Sequence, residues 1–309
     1  MKVDFIVIGD INIDIITKPI KYLEKEVSIV QDNFYIFPGG NAANTAIELS
    51  RLGSTVHFIG SLGTDPISRW LIEILNKYNI SNTIATKSTT SGITFALTYE
   101  DGTRTFIATL GSNKELSIDD VKIDDIEASH LHRAGYWWAP KLIGEPNDII
   151  FKSAKNKGMT TSLGLSWDPN NWNNRYLVLE NLRYCDILML NEKEILGLTA
   201  KQTLDQALNE LEQYFKGITV IHRGNKGSLI NFQSNSIEIP ARKIKTINPT
   251  GSGDIYDAAF IYGFKKDWKL KKIGEFANAC AELRLQFLDK KYPSLDDVLN
   301  YLGKNSKES

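Results

Sequence analysis

The 309-residue sequence is poor in cysteine, with only Cys185 and Cys280. Both stand among apolar residues, and neither has a cysteine neighbour at metal-ligand spacing. They read as buried free thiols of a reducing compartment. Histidine is also scarce. Of His57, His130, His132 and His222, only His130 and His132 lie two apart, so on a strand they would share a face. With no third ligand nearby, that pair reads as core or pocket packing rather than a metal site. No apolar run approaches the roughly 20 residues of a membrane span. The N-terminus shows no basic segment followed by a long apolar one and a small-residue cleavage site. A soluble, cytoplasmic protein is the expectation. Charge of either sign is not in excess: 36 Lys+Arg face 37 Asp+Glu, a formal net charge of -1. That balance argues against a nucleic-acid-binding surface as the main business. Low-complexity segments and repeats are absent, and 304–309 read as a polar tail. There is no Gly-x4-Gly-Lys-Ser/Thr, so a P-loop is excluded.

What is present is a core-forming chain. Apolar residues make up 42% and charged residues 24%, which suits one large α/β domain with an appendage. Phe5 to Gly9 is a short apolar run closed by glycine, a strand buried on both faces. Asn44 to Leu52 reads as a helix stopped by Gly53, and Pro66 opens another. Val56 to Gly60, Ile187 to Leu190 and Ile218 to Ile221 read as strands. Glu192 onward, Asp254 to Phe264 and Phe276 to Phe287 read as helices. This alternation predicts a mostly parallel sheet covered on both sides. Two stretches break it. Ile11 to Phe37 shows no helix, and Gly92 to Tyr99 and Arg104 to Ala108 flank an Asp-Gly turn, a hairpin signal. They predict a small β lid over about 12–37 and 84–112, with the main domain over about 1–11, 38–83 and 113–303. Such a lid would keep water from a reacting phosphate.

The segment Asn248-Pro249-Thr250-Gly251-Ser252-Gly253-Asp254 carries the strongest chemical signal. Gly251 and Gly253 permit a tight turn with exposed amides, and a helix follows at once. Orphan N–H groups and the helix dipole together attract anions. Asp254 then stands beside that anion hole as a base for an attacking hydroxyl, the arrangement phosphoryl transfer needs. A turn followed by an aspartate that helps an ordinary helix start is the competing account. Pro38-Gly39-Gly40-Asn41-Ala42-Ala43-Asn44 has the same duality: a close approach to a ligand, with Asn44 able to donate and accept, or a helix cap with small packing residues.

Taken together, Gly39, Gly40, Asn44, Gly53 and Gly63, with Gly251-Ser252-Gly253-Asp254 far downstream, resemble the two signatures of the ribokinase-like (pfkB) carbohydrate kinase family. The resemblance runs along nearly the whole chain. It implies a three-layer α/β sandwich with a β-sheet lid, ATP and Mg2+ as cofactors, and a sugar-like acceptor. Asn12 and Asp14 resemble the family's sugar-holding Asn-x-Asp, and Gly39, Gly40 and Asn44 continue that site. Asn191 and Glu194 resemble its Asn-x-x-Glu, which implies a role in binding magnesium and phosphate through water; the same spacing is a capping box. Arg223, Gly224 and Gly227 resemble the nucleotide-binding turn, and Asn278 a position beside the adenine. Asp168-Pro169-Asn170 resembles a segment near the phosphate path, and is equally a good turn. Lid strands in this family often pair between subunits, which implies a homodimer.

Ribose, fructose, 2-keto-3-deoxygluconate and inositol all suit these motifs. A nucleoside kinase, with Tyr136 to Trp138 stacking a base, and a non-catalytic sugar- or nucleotide-binding protein are the alternatives. An aromatic wall from that segment together with Arg133 would suit an acidic sugar, while core packing of Trp137 or Trp138 competes with it. Two departures stand out. Phe287-Leu288-Asp289-Lys290-Lys291 replaces the family's Gly-Ala, so the loop over the adenine differs. Asn248 replaces an aspartate that helps hold a monovalent cation in the family. Activity is therefore expected to change little when potassium replaces sodium; several-fold stimulation by potassium would show that the cation site works without that carboxylate.

Overall fold

The computed structural model describes all residues except 102, 248–249, 287–291 and 306–309, with the backbone alone for 304–305. Asn248, Gly102, the departure at 287–291 and the end of the tail therefore lie outside the described residues.

The strands in chain order are β1 Phe5–Ile8, β2 Asn12–Ile16, β3 Tyr35–Gly39, β4 Val56–Leu62, β5 Ser81–Thr86, β6 Gly92–Thr98 and β7 Arg104–Thr109. They continue as β8 His130–Arg133, β9 Thr160–Gly164, β10 Ile187–Asn191, β11 Ile218–His222, β12 Ser228–Phe232 and β13 Asn235–Ile239. The helices are α1 Asn41–Arg51, α2 Pro66–Lys77, α3 Glu145–Asn156, α4 Arg175–Asn181 and α5 Glu192–Thr199. They are followed by α6 Leu204–Leu211, α7 Ser252–Lys265, α8 Leu270–Leu285 and α9 Leu295–Asn305. Helix α9 takes in Lys304 and Asn305, so the first two residues of the expected tail are helical.

A nine-stranded sheet has the order β13-β12-β11-β10-β9-β8-β1-β4-β5, parallel from β11 to β5 and antiparallel at β12 and β13. Its strands are apolar on both faces, and their alternation separates two cores. Phe5, Val7, Phe58, Met189 and Val220 pack under α1, α2, α7, α8 and α9. Ile6, Ile8, Leu131, Leu163, Leu190 and Ile221 point the other way, under α3, α4, α5 and α6. Burying one such side chain stabilises by about 1.5–3 kcal/mol. Three layers follow directly from period-two side-chain direction on apolar strands.

The lid is a four-stranded sheet, β3-β2-β6-β7. Its β6–β7 hairpin pairs Thr98 with Arg104 across the expected turn. Strand β5, in contrast, stays on the main sheet as far as Thr86, paired with Leu62, slightly beyond the expected lid boundary. One lid face carries Asp14, Thr94 and Ala108 in register; the opposite face carries Ile36, Ile15, Phe95 and Ile107 in one row.

His130 and His132 do share a strand, and both are core. His130 bridges the hydroxyls of Thr160 and Ser162 at 2.7 Å each, and His132 Nδ1 lies 2.7 Å from Ser162 Oγ. Burial depresses both, His132 to about 4. Cys185 and Cys280 are free and buried.

Helix α1 holds an unusual core residue, Glu48, 0% exposed. Neither carboxyl oxygen has a hydrogen-bond partner among the described residues. Burial pushes its pKa well above the usual 4.5, against the pull of Arg51 and Arg284 and with a further push from Asp297. The folded chain thus holds this proton more tightly than the unfolded chain. Its contribution is fully present below pH 4.5 and is lost as pH rises toward the folded pKa, at about 1.4 kcal/mol per pH unit crossed. Glu48→Gln is expected to gain melting temperature relative to the wild type between pH 5 and pH 8. An unchanged difference across that range would show that Glu48 does not titrate.

Candidate active site

Parallel strands deliver their C-terminal ends to one rim, the place where open α/β sheets form ligand crevices. A cavity of about 500 Å³ opens there. Asp10 follows β1, Gly135 and Trp138 follow β8, and Ser166 and Trp167 follow β9; Asn191 ends β10 and His222 ends β11. Asn12, Asp14, Thr94, Phe106 and Ala108 of the lid close it from above, and Gly251, Gly253, Asp254 and Asp257 of the α7 start close its far end.

A second cavity, about 570 Å³, lies beyond that helix start. Gly224, Gly227, Arg242, Lys243, Ser252, Tyr256 and Asn278 line it. His222 and Gly253 line both cavities. The two spaces therefore meet at the turn that the sequence marks for an anion.

Gly251 caps α7 with φ 78° and ψ 5°, a left-handed geometry that favours glycine. Asp254 is the third helical residue. Its Oδ2 accepts from Asn44 Nδ2 at 2.7 Å. Arg104 of the lid donates to Thr250 Oγ1, and Arg284 Nη2 donates to Thr250 O at 2.5 Å. The lid is thereby tied to the turn.

On the rim, Gly40, Asn12, Asp14 and Asn44 all line the first cavity. Gly39 does not; its need is steric, because a Cβ there would stand 2.1 Å from Asp14 Oδ1. Asn191 and Glu194 form the capping box: Glu194 N donates to Asn191 Oδ1 and Asn191 N to Glu194 Oε2, both 2.9 Å. Burial lifts Glu194 to about 7, opposed by the Asn191 amide and His222. Both residues still line the first cavity.

Several expected contacts lie elsewhere. Arg223 directs its guanidinium to Glu238 at 2.9 Å and Glu192 at 3.5 Å, while the neighbouring Gly224 and Gly227 line the second cavity. Asn278 lines that cavity too, but its Nδ2 donates to the carbonyls of Ile239 and Pro240 at 3.1 and 3.3 Å. Asp168 is a turn residue, accepting from Asn170 N and Trp172 N at 2.8 Å each. Arg133 is 0% exposed, its guanidinium donating to the carbonyls of Ala134, Gly135 and Tyr136. It shapes the loop beneath the cavity and cannot reach an acidic sugar. Trp137 is core, edge-on to Tyr136 and Trp172, and Trp138 alone of the two adjacent tryptophans reaches the cavity.

Three groups escape the sequence motifs. Asp10 Oδ2 and Oδ1 accept from Asn41 N and Ala42 N at 3.0 and 3.3 Å, and burial raises its pKa to about 6 despite those bonds. His222 Nε2 lies 2.8 Å from Asp257 Oδ1. Burial opposes a charge on His222, but Asp257 and Glu194 outweigh it and raise its pKa. Asp10 follows Gly9 in the same alternating run as Asn12 and Asp14, a signal that could have found it, whereas nothing local marks His222 and Asp257.

A parallel α/β sheet, a β lid and a glycine turn between two cavities are the build of a small-molecule kinase. Residues 3–292 match the pfkB family carbohydrate kinase pattern. The chain belongs to that family and has the ribokinase-like fold. It is 24% identical over 265 residues to fructokinase-2 of Zea mays, covering 80% of this chain and 78% of that protein. With a 5-dehydro-2-deoxygluconokinase of Geobacillus kaustophilus (strain HTA426) it shares 26% over 303 residues, covering 91% and 87%. A putative ribokinase II from E. coli, in complex with ATP and Mg2+, superposes with a TM-score of 0.83 at 20% identity, over 97% of this chain and 99% of that one.

Proposed function

We propose that this carbohydrate kinase transfers the γ-phosphoryl group of ATP to a hydroxyl of an uncharged sugar or sugar-like polyol, with Asp254 as the base. The observation that carries this reading is the meeting of two cavities at Gly253 and His222, with Asp254 on the lid side. The cavity under the lid takes the acceptor, and the one beyond the turn takes the nucleotide; both volumes suit small ligands.

Asn12, Asp14 and Asn44 offer amides and a carboxylate to acceptor hydroxyls. The lining speaks for an uncharged acceptor. It holds five carboxyl groups, on Asp10, Asp14, Glu194, Asp254 and Asp257, and among the described residues no lysine or arginine. Ribose, fructose or an inositol fits such a lining better than 2-keto-3-deoxygluconate, whose carboxylate would be repelled. Trp138 and Trp167 give an apolar wall for a ring face.

Asp254 takes the proton of the attacking hydroxyl, held by Asn44 so that its carboxylate is already oriented. The amides of the first α7 turn, Gly251 to Gly253, hold the developing phosphoryl charge. His222, whose protonated form Asp257 favours against the effect of burial, borders the same point. Gly224 and Gly227 let the nucleotide approach the backbone after β11. Among the described residues no group of three or more His, Cys, Asp or Glu side chains could hold a metal. That fits magnesium held largely by water and phosphate, with Glu194 the side chain to reach it through water. When bound, the ion would offset phosphate charge.

The outer lid row of Ile36, Phe95 and Ile107 is 54%, 43% and 57% exposed. A second copy is the occupant this reading assigns to that face. The wild type is expected to run as a dimer in light scattering, and a Phe95→Lys, Ile107→Glu double variant as a monomer. A monomeric wild type at micromolar concentration would remove this assembly. For the chemistry, ADP release should be read across sugars, sugar acids, inositols and nucleosides. Turnover is expected with a neutral polyol and to fall at least about a hundredfold in Asp254→Asn with ligand binding retained. Near-wild-type turnover in that variant would remove Asp254 from its role. Efficient turnover of a sugar acid would overturn the neutral-acceptor assignment, and none on any compound would favour a binding protein.

A further inference from the structure

Asn44 has both ends of its amide engaged. Nδ2 donates to Asp254 Oδ2 at 2.7 Å, and Oδ1 accepts from the hydroxyl of Tyr292 at 2.8 Å. A carboxamide presents a donor at one end and an acceptor at the other, and its partners decide which way it faces. An ionised carboxylate only accepts, so Asp254 selects the NH2 end of the amide. One bond still leaves the amide free to tilt and the carboxylate free to follow it.

Tyr292 removes that freedom. Burial keeps its phenol protonated, well above the ordinary tyrosine range and against the pull of Arg284, so the hydroxyl has a proton to donate. With the NH2 of Asn44 committed to Asp254, that proton goes to the amide oxygen and anchors the far end of the side chain. Tyr292 is itself built in. It is 4% exposed; its ring stands edge-on to Tyr78, with centroids 5.8 Å apart, and its carbonyl accepts from Arg51 Nε at 3.2 Å. It lies between α8 and α9, far in sequence from both α1 and α7, so the relay joins three distant parts of the chain.

We propose that Tyr292 is a positioning residue for phosphoryl transfer: through Asn44 it holds the Asp254 carboxylate in the orientation that meets the acceptor hydroxyl. The proposal rests on the reading of Asp254 as the base. It also gives Asn44 a task besides touching sugar, which is to set the base before substrate arrives.

The test uses the full chain and Tyr292→Phe, which keeps the ring and its packing. With a neutral polyol acceptor, kcat is expected to fall about tenfold while KM for ATP stays within about twofold, because positioning acts on the chemical step. In an Asn44→Ala background the same change should have no further effect on kcat, since the relay is already cut. An unchanged kcat in Tyr292→Phe, or an equal loss in both backgrounds, would overturn the relay. A measurement without substrate runs beside it. In the wild type, the Asn44 side-chain amide, assigned by its loss in Asn44→Ala, should show one proton shifted downfield by its carboxylate partner and should move toward the free-amide position in Tyr292→Phe. A wild-type resonance at the free-amide position, or one indifferent to Tyr292→Phe, also overturns it. Absence of wild-type turnover on every acceptor would instead sink the kinase reading, with the resonance still testing the relay.

Discussion

The close packing of α1 against α7 is the constraint on which the site depends. The two helices pack against each other, and small residues of both, Ala42, Ala43 and Ala46 on one and Ala258 and Ala259 on the other, are buried in the core they share. Only short side chains allow backbones to come near enough for Asn44 Nδ2 to reach Asp254 Oδ2, and for Thr45 Oγ1 to lie 3.4 Å from Asp254 O. If α1 moved by even an ångström, Asp254 would lose its bond from Asn44. The sheet serves this contact by fixing where each helix starts. Asp10, just past the end of β1, reaches the start of α1 across the intervening lid strands, and its carboxylate accepts from the first two amides of that helix.

The price of this arrangement is a set of buried polar groups that an ordinary core would avoid. Asp10, Glu48, Glu194 and Asp257 lie within the layers around α1 and α7, and Arg133 is enclosed beneath them. Burial weakens the charged form of Asp10, Glu48 and Glu194 alike. Asp10 and Glu194 border the cavity under the lid. Glu48 lies one helical turn from Asn44, away from the cavity, and stands as a cost without a visible return.

Much of the layout can be read from local pattern, because it depends on local physics. Apolar runs closed by glycine mark β1, β4, β10 and β11, and an Asp-Gly turn marks the β6–β7 hairpin. Other elements carry weaker marks. Helix α3 follows a glycine and takes Pro146 into its first turn; its buried face opens with the polar Asn147 and Asp148, so its buried apolar residues, Ile150, Phe151 and Ala154, fall only in the later turns. Strand β9, Thr160–Gly164, has hydroxyl residues at three of its five positions; Thr160 and Ser162 bond buried histidines and Thr161 donates to the Tyr184 carbonyl, rather than packing as apolar groups. Neither shows the period that local reading needs.

By itself, the sequence determined the three-layer class, the lid, the glycine turn before Asp254 and membership of a carbohydrate kinase family, since each rests on residue types at short, regular spacing. Tertiary structure alone decided which of the marked residues line the two cavities. Arg133, Arg223 and Asp168 have the right chemistry, yet their polar atoms are engaged by backbone or by neighbouring carboxylates. His222, Asp257 and Tyr292 carry no motif, yet the fold brings the first two to the lining of one cavity and the third to Asn44 on its rim. Such proximity is set by strand order and helix packing, which join residues hundreds of positions apart, and no local pattern encodes it.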